Sequence, residues 1–202
     1  MLFRSTKLPN PCEVVNLAPT CLDEIMRDIQ RVGDLVKRSD QAREFVSSLQ
    51  QCIDRIGEKT LSFRRPKVFC MEWLDPPYCA GHWVPEMVEI AGGSEVLGNA
   101  GKYSTRVTWE AIVQAGPEAV VAMPCGFNLD RTLNDLRATQ FPDAWHQLPA
   151  VRSGNVFATA ANAYFSRCGP RVVVGIEALA EMLHPEQFTD IATQGSWARM
   201  FP

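Results

Sequence analysis

The chain has 202 residues, of which 46% are hydrophobic and 21% charged, a composition typical of a folded globular protein rather than of a disordered or collagen-like one. The 20 basic and 23 acidic side chains give a formal net charge of −3, so the chain lacks the overall basic character of nucleic-acid-binding proteins. No uncharged apolar stretch approaches the roughly 20 residues that span a bilayer, which predicts a protein that does not cross a membrane.

The first eleven residues lack the apolar core of a secretory signal peptide, so the sequence as written predicts a cytoplasmic protein. A periplasmic or cell-surface location would require an export segment upstream of Met1.

The cysteines are odd in number and include no CxxC pair, which predicts free thiols rather than a disulfide framework or a metal held by the protein. There are seven: Cys12, Cys21, Cys52, Cys70, Cys79, Cys125 and Cys168.

The first third of the chain predicts a short strand and two helices. The strand covers residues 13–17, and the first helix follows Thr20, which we expect to cap it together with Asp23 three residues later. The second helix starts at Ser39 or Asp40 and ends near Leu61, a length of about 30 Å. Its apolar side chains recur at helical spacing: Ala42, Phe45, Val46, Leu49, Cys52, Ile53 and Ile56.

From Pro66 onward, apolar strands alternate with helices. The predicted strands are 67–73, 118–123 and 155–159, and the predicted helices are 83–91, 109–115, 129–139 and 170–183. Thr108 is placed to cap the helix at 109–115, and Pro170 to begin the closing helix. This alternation predicts an α/β domain with a parallel, doubly wound sheet over residues 66–188.

Ligands of open parallel sheets bind at the carboxyl ends of the strands, so the loop after each predicted strand is a candidate site. The first loop (73–83) contains Trp73, Asp75, Pro77, His82 and Trp83. The second loop (124–128) and the third loop (160–170) contain further candidates: Cys125, Gly126, Phe127, Tyr164, Phe165, Ser166 and Arg167. If the loops meet, these side chains and Tyr78 form an aromatic rim that suits a large, partly apolar, planar ligand.

These candidate residues also have other interpretations. The aromatic side chains could cap the end of the sheet without binding anything. His82 could be a metal ligand, a general base or a hydrogen-bonded loop residue. Cys125 lies before Gly126 at a strand end, where His82 or His146 could activate it as a nucleophile, although no hydrolase signature surrounds it.

Three stretches carry a resemblance to a known family: VFCMEWLDPPYCAGHWVPEMVEIAGG (68–93), STRVTWEAIVQAGPEAVVAMPCGF (104–127) and AYFSRCGPRVVVGIEALAEMLHPEQF (163–188). In this order they resemble the cobalamin-binding subgroup of the substrate-binding proteins of ABC importers, the class that also holds ferric-siderophore and haem binders. The resemblance implies three parts: residues 1–38 as the remnant of an amino-terminal lobe that is mostly missing, 39–65 as the long helix between lobes, and 66–202 as the carboxy-terminal lobe.

The resemblance also implies a function, namely non-enzymatic binding of a cobalamin-like corrinoid as ligand, with no catalytic residue and no resident cofactor. The corrin ring would stack on the aromatic residues of the three loops, and Arg167 would meet its amide or phosphate periphery. An ABC permease is the implied partner.

Three alternatives remain at this point. One is a ferric siderophore or haem as the ligand, another is a cysteine-dependent hydrolase that uses Cys125, and the third is a homodimer through the uncovered face of the cleft.

Overall fold

A mixed β-sheet forms the centre of the structure, a computed structural model that describes residues 14–201. Within these residues the strands are β1 (Lys67–Trp73), β2 (Tyr78–Cys79), β3 (Ser94–Glu95), β4 (Thr105–Arg106), β5 (Ala119–Ala122), β6 (Val156–Thr159) and β7 (Trp197–Arg199). The helices are α1 (Leu22–Leu35), α2 (Ser39–Thr60), α3 (Val84–Ile90), α4 (Trp109–Ala115), α5 (Leu129–Ala138), α6 (Pro149–Arg152), α7 (Ala161–Tyr164) and α8 (Val172–Leu183), with a 3-10 helix at Asp143–Gln147.

The strand order is β4-β2-β1-β5-β6-β7, and β3 also pairs with β1. β1, β5 and β6 run parallel, whereas β2, β4 and β7 pair antiparallel. The predicted α/β fold is therefore confirmed, with a mixed sheet in place of a wholly parallel one. For β2 the reason is the length of the β1–β2 connection, which is residues 74–77 alone and too short for the helical crossover that a parallel pair needs.

Helices cover both faces of the sheet, so the central strands are apolar on both sides. In β1, Val68 and Cys70 face a core formed with α1, α2, α3 and α8, while Phe69 and Met71 face a second core formed with α4, α5 and α6. All four side chains are buried. A strand that is buried on both faces reads as an unbroken apolar run, which is why β1 was predicted with the bounds that the structure has.

The predictions for the start of the chain are correct in part. Residues 14–17 form no strand, because no other strand lies beside them to pair with, and Glu13 lies outside the described residues. Glu24, not Asp23, bonds to Thr20: its carboxylate accepts from the Thr20 backbone N–H at 2.6 Å and from the Thr20 hydroxyl at 3.0 Å. These bonds also lower the pKa of Glu24.

The remaining predicted helices follow their sequence signals closely, whereas α6, α7 and the 3-10 helix were not predicted, and α7 lies within the predicted third loop. α2 ends one residue before the predicted position, and Thr108 caps α4 by accepting from the Ala111 N–H at 3.2 Å. Two expectations were wrong in detail. Phe45 of the apolar stripe on α2 is 45% exposed, and the closing helix begins at Val172, after Pro170 rather than at it.

α1 and α2 form a hairpin that is tightly packed at Gly33. A Cβ added there would lie 2.2 Å from the Cβ of Ala42, so only glycine allows the two helices this separation. The hairpin then buries Ile25 of α1 with Ile53 and Ile56 of α2 in the first core.

We predict that Gly33→Ala destabilises the protein by about 1–3 kcal/mol, because the added methyl forces the helices apart. Gly57→Ala is the matched control, since an added Cβ there meets only Ile90 Cγ2 at 3.9 Å. Alanine has the higher helix propensity, so this control should be neutral or stabilising by up to about 1 kcal/mol. Urea denaturation of the two variants measures the difference, and equal destabilisation would contradict the tight crossing.

Candidate functional site

The three candidate loops meet at one edge of the sheet, the edge at which β1, β5 and β6 end. The backbone N–H of Asn162 in the third loop donates to the Phe127 carbonyl at 2.9 Å. The Gly126 N–H donates to Ser166 Oγ at 3.3 Å, and the Cys125 N–H donates to the Glu72 carbonyl at 3.3 Å. The second loop is thus hydrogen-bonded to the third loop and to β1, as the parallel arrangement predicts.

An open groove of about 440 Å³ lies at this edge, lined by Glu72, Trp73, Pro76, Tyr78, Ser104 and Cys125. Trp73 also lines a smaller hollow of about 270 Å³, together with Asp75 and Phe127. Its indole is 40% exposed and meets the Phe127 ring edge to face, with 5.5 Å between the ring centroids. Trp73 therefore presents a fixed aromatic surface to both hollows.

A second aromatic surface is formed by His82 and Tyr103. His82 has a positive φ of 53°, and its backbone is held on both sides. Its N–H donates to the Lys102 carbonyl at 2.6 Å, and its carbonyl accepts from the Gly101 N–H at 2.9 Å. The Tyr103 ring is 78% exposed and lies edge-on to the imidazole, at 5.1 Å between centroids. An aromatic side chain this exposed is available to a ligand.

The aromatic rim predicted from the sequence is wrong for Trp83, Phe127 and Phe165, because all three side chains are buried. Trp83 is 8% exposed and Phe165 3% exposed, and both belong to the first core. The Trp83 indole N–H donates to the Phe165 carbonyl at 3.0 Å, which joins the first loop to the third. Pro77 is buried as well. Trp83, Phe165 and Pro77 line neither hollow, whereas Phe127 is largely buried and still lines the smaller one.

The polar candidates lie at the surface. Asp75, Cys125, Gly126 and Arg167 are exposed, and Tyr164 and Ser166 are half-buried. Gly126 has a φ of 82°, and an added Cβ there would meet nothing within 4 Å, so the backbone of the second loop is open to an approaching molecule. Arg167 Nε donates to the Asn162 carbonyl at 3.0 Å, which holds the guanidinium against the third loop.

Sequence reasoning missed Glu72, Tyr103 and Ser104 as site residues. The Ser104 hydroxyl is hydrogen-bonded to the Glu72 carboxylate, and both side chains line the groove. They meet because β4, which begins at Thr105, pairs with β2, and β2 pairs with β1. The available signal was Glu72 itself, the one acidic residue in a strand that is apolar at every other position after Lys67.

The structure offers little support for the other roles proposed for His82 and Cys125. Among residues 14–201, no three His, Cys, Asp or Glu side chains are grouped so that they could hold a metal ion. Within the same range no hydrogen bond joins the Cys125 thiol to a histidine. His146 lies in the 3-10 helix, and His184 bonds to the Gly92 carbonyl at 3.2 Å, where burial lowers its pKa.

The described cysteines are all free thiols, as predicted, and Cys12 lies outside the described residues. No helix in the described part of the chain is both long enough and apolar enough to cross a membrane.

Comparisons with a family profile and with a curated relative agree on the kind of protein that this chain resembles. A sequence profile of the family described as periplasmic binding protein matches residues 5–163. An uncharacterised ABC transporter substrate-binding lipoprotein, YvrC of Bacillus subtilis (strain 168), is 25% identical over 173 residues, which is 83% of this chain and 52% of that protein. The chain thus spans about half the length of this curated relative.

Solved structures show the same fold at lower identity. The periplasmic vitamin B12 binding protein BtuF of Vibrio cholerae superposes with a TM-score of 0.67 at 18% identity, covering 85% of this chain and 64% of that one. A protein of the ABC-type Fe³⁺-hydroxamate transport system from Saccharomonospora viridis superposes with a TM-score of 0.66 at 22% identity, covering 83% and 57%.

We predict that Trp83→Phe lowers the free energy of unfolding by about 1–3 kcal/mol, because the buried Phe165 carbonyl loses its donor while most of the ring volume is kept. Trp73→Phe is the control, since the Trp73 side chain is partly exposed and makes no comparable bond. Its effect should stay within about 0.5 kcal/mol. Urea unfolding followed by circular dichroism measures both changes. An unchanged free energy of unfolding in Trp83→Phe would show that the hydrogen bond between the loops does not stabilise the fold.

Proposed function

The chain belongs to the periplasmic binding protein family, and on that premise we propose that it binds a cobalamin-like corrinoid at the open groove. The observation that carries the proposal is the exposed indole of Trp73, held edge to face by Phe127 beside a groove of about 440 Å³. A corrin is a large, flat, partly apolar ring, and a rigid exposed indole provides a stacking surface for it. Binding, not catalysis, is the activity that we assign, with the corrinoid as ligand and not as a resident cofactor.

The polar groups around the groove suit the periphery of such a ligand. A corrin bears amide side chains and a phosphate, which need both acceptors and donors. Glu72, Tyr78 and Ser104 provide acceptors in the groove, and Ser166 and Arg167 provide donors on the third loop. Arg167 is the candidate for the phosphate, because a guanidinium makes charge-assisted hydrogen bonds to it.

The candidate residues divide into two groups on this proposal. Trp73, Asp75, His82, Cys125, Gly126, Tyr164, Ser166 and Arg167, together with Tyr103, are accessible and would contact the ligand. Pro77, Trp83, Phe127 and Phe165 are buried and would act indirectly, by holding the loops in place.

A ferric siderophore or haem is the second candidate ligand, favoured by the fold that this chain shares with the Fe³⁺-hydroxamate transport protein. We rank this class of ligand lower because of the charged side chains around the groove. An anionic iron complex would be repelled by Glu72 in the groove and by Asp75 in the adjacent hollow, and Arg167 alone would offset them on the third loop. A neutral or cationic corrinoid meets no such penalty. A hydrolase that uses Cys125 ranks lowest, because no histidine is hydrogen-bonded to that thiol in the described residues.

We further propose that the protein is the substrate-binding component of an ABC importer, or a relative of one, with a permease as partner. The family match and the lipoprotein relative support this, and they favour the periplasmic or cell-surface location over the cytoplasmic one. In this proposal, residues 66–202 form the lobe that bears the groove and α2 is the helix that links it to an amino-terminal lobe. A second copy of the chain across the groove is the alternative arrangement.

We predict that Trp73→Ala weakens cyanocobalamin binding by about tenfold or more, because the ring loses its stacking surface. Phe45→Ala is the matched control, since Phe45 is 45% exposed and lies on α2, away from the groove. Isothermal titration calorimetry of both variants, with haem and a ferric hydroxamate as comparison ligands, measures the effect. Equal loss in both variants, or tighter binding of either iron ligand, would contradict the assignment.

A further inference from the structure

A half-buried carboxylate lies outside the groove, at the start of the segment that leads to it. Glu95 is in β3, on the side of β1 away from β5, and burial raises its pKa. Its Oε1 accepts from the backbone N–H groups of Leu97 at 3.1 Å and Gly98 at 3.0 Å, and its Oε2 accepts from the Cys70 N–H at 3.0 Å. Three backbone donors thus satisfy one carboxylate, which joins the segment after β3 to the central strand.

The segment that Glu95 holds, residues 96–104, leads directly to the groove. Gly98 packs so closely on the Ala80 carbonyl that an added Cβ would lie 2.7 Å from that oxygen. Gly101 and Lys102 bond to the two sides of the His82 backbone, and Tyr103 packs on the His82 ring. Ser104 then bonds to Glu72 inside the groove. The segment therefore carries both Tyr103 and Ser104 and fixes His82.

We propose that Glu95 is the positioning residue of the groove, which orders residues 96–104 so that His82, Tyr103 and Ser104 are in place before a ligand arrives. No regular element does this, because β3 and β4 are two-residue strands at either end of the segment. A loop that is ordered in advance does not lose its conformational freedom on binding, so the ligand binds more tightly. The expected effect of Glu95 on ligand affinity rests on the proposed function, whereas the ordering of residues 96–104 does not.

The test replaces Glu95 by Ala and by Gln. Ala removes all three bonds. Gln keeps one oxygen, which can accept either from Leu97 and Gly98 or from Cys70, and its NH₂ group then faces the remaining backbone N–H. Glu181→Ala is the matched control. Glu181 in α8 also accepts from two backbone N–H groups of a later segment, Ile191 at 3.1 Å and Ala192 at 2.9 Å, and lines neither hollow of the site.

The first readout is hydrogen exchange of residues 96–104 in the whole protein without ligand. We expect Glu95→Ala to speed exchange in this segment by about tenfold or more, because the variant loses three backbone hydrogen bonds to one carboxylate. Glu95→Gln should show a smaller increase, and Glu181→Ala should leave the segment unchanged. Unchanged exchange in Glu95→Ala would overturn the proposal, as would an increase spread evenly over the chain. If Glu95→Ala does not fold, the same criteria apply to Glu95→Gln.

The second readout is cyanocobalamin affinity by calorimetry, in which Glu95→Ala should bind about tenfold more weakly than Glu181→Ala. Selective loosening of the segment with unchanged affinity would overturn the role of Glu95 in binding. If the unsubstituted protein binds no corrinoid while the exchange result is as expected, the ordering by Glu95 is supported and the corrinoid assignment fails. The two failures are therefore distinguishable.

Discussion

Parallel pairing of β1, β5 and β6 brings the carboxyl ends of three strands to one edge of the sheet, and the positions of Glu72, Trp73 and Cys125 in the groove depend on it. Trp73 ends β1, Cys125 follows β5, and Ser166 follows β6. These residues are far apart in the chain, yet hydrogen bonds connect the three strand ends: the Cys125 N–H donates to the Glu72 carbonyl, and the Gly126 N–H donates to Ser166 Oγ. The pairing is stable because β1 is apolar on both faces and is covered by helices on both sides.

Some aromatic side chains of the loops at this edge are buried and others are exposed. The buried rings support the loops, and the exposed rings lie at the surface of the candidate site. Trp83 and Phe165 pack into the core and link the first and third loops, so the edge is rigid. Trp73 and Tyr103 stay at the surface. Exposed aromatic area is unfavourable in water, and a ligand that covers these two rings would explain why they are not buried. A rigid base beneath exposed rings is what preorganised binding of a flat ligand requires.

The sequence predicted the long elements well and the short ones poorly, for reasons that can be stated physically. α2 and β1 have enough residues to display a period or an unbroken apolar run, and caps such as Thr108 mark helix starts locally. β2 and β4 have two residues each, too few to show any pattern, and only the antiparallel pairing of β2 with β1 follows from the short connection between them. Residues 14–17 show the opposite error, because a short apolar stretch with no neighbouring strand does not make a strand.

The sequence predicted the edge of the sheet at which the groove lies, but not which side chains line the groove. Strand ends predicted the edge, and loop composition predicted aromatic rings there. Which rings face outward depends on contacts over long separations, such as the bond from Trp83 to Phe165 across 82 positions, and no local pattern contains that information. Tyr103 and Ser104 were missed for the same reason, since it is Glu95 and the His82 backbone that hold their segment at the groove.

The central claim is that the groove binds a corrinoid, and a calorimetric titration of the protein with cyanocobalamin and aquocobalamin, with the visible spectrum of the corrin recorded in parallel, tests it most directly. Our account predicts saturable binding of both corrinoids at one ligand per chain. A spectral change with aquocobalamin alone would show that a side chain, with His82 as the candidate, replaces water at cobalt. No heat of binding with either corrinoid, under conditions in which haem or a ferric hydroxamate does bind, would contradict the account.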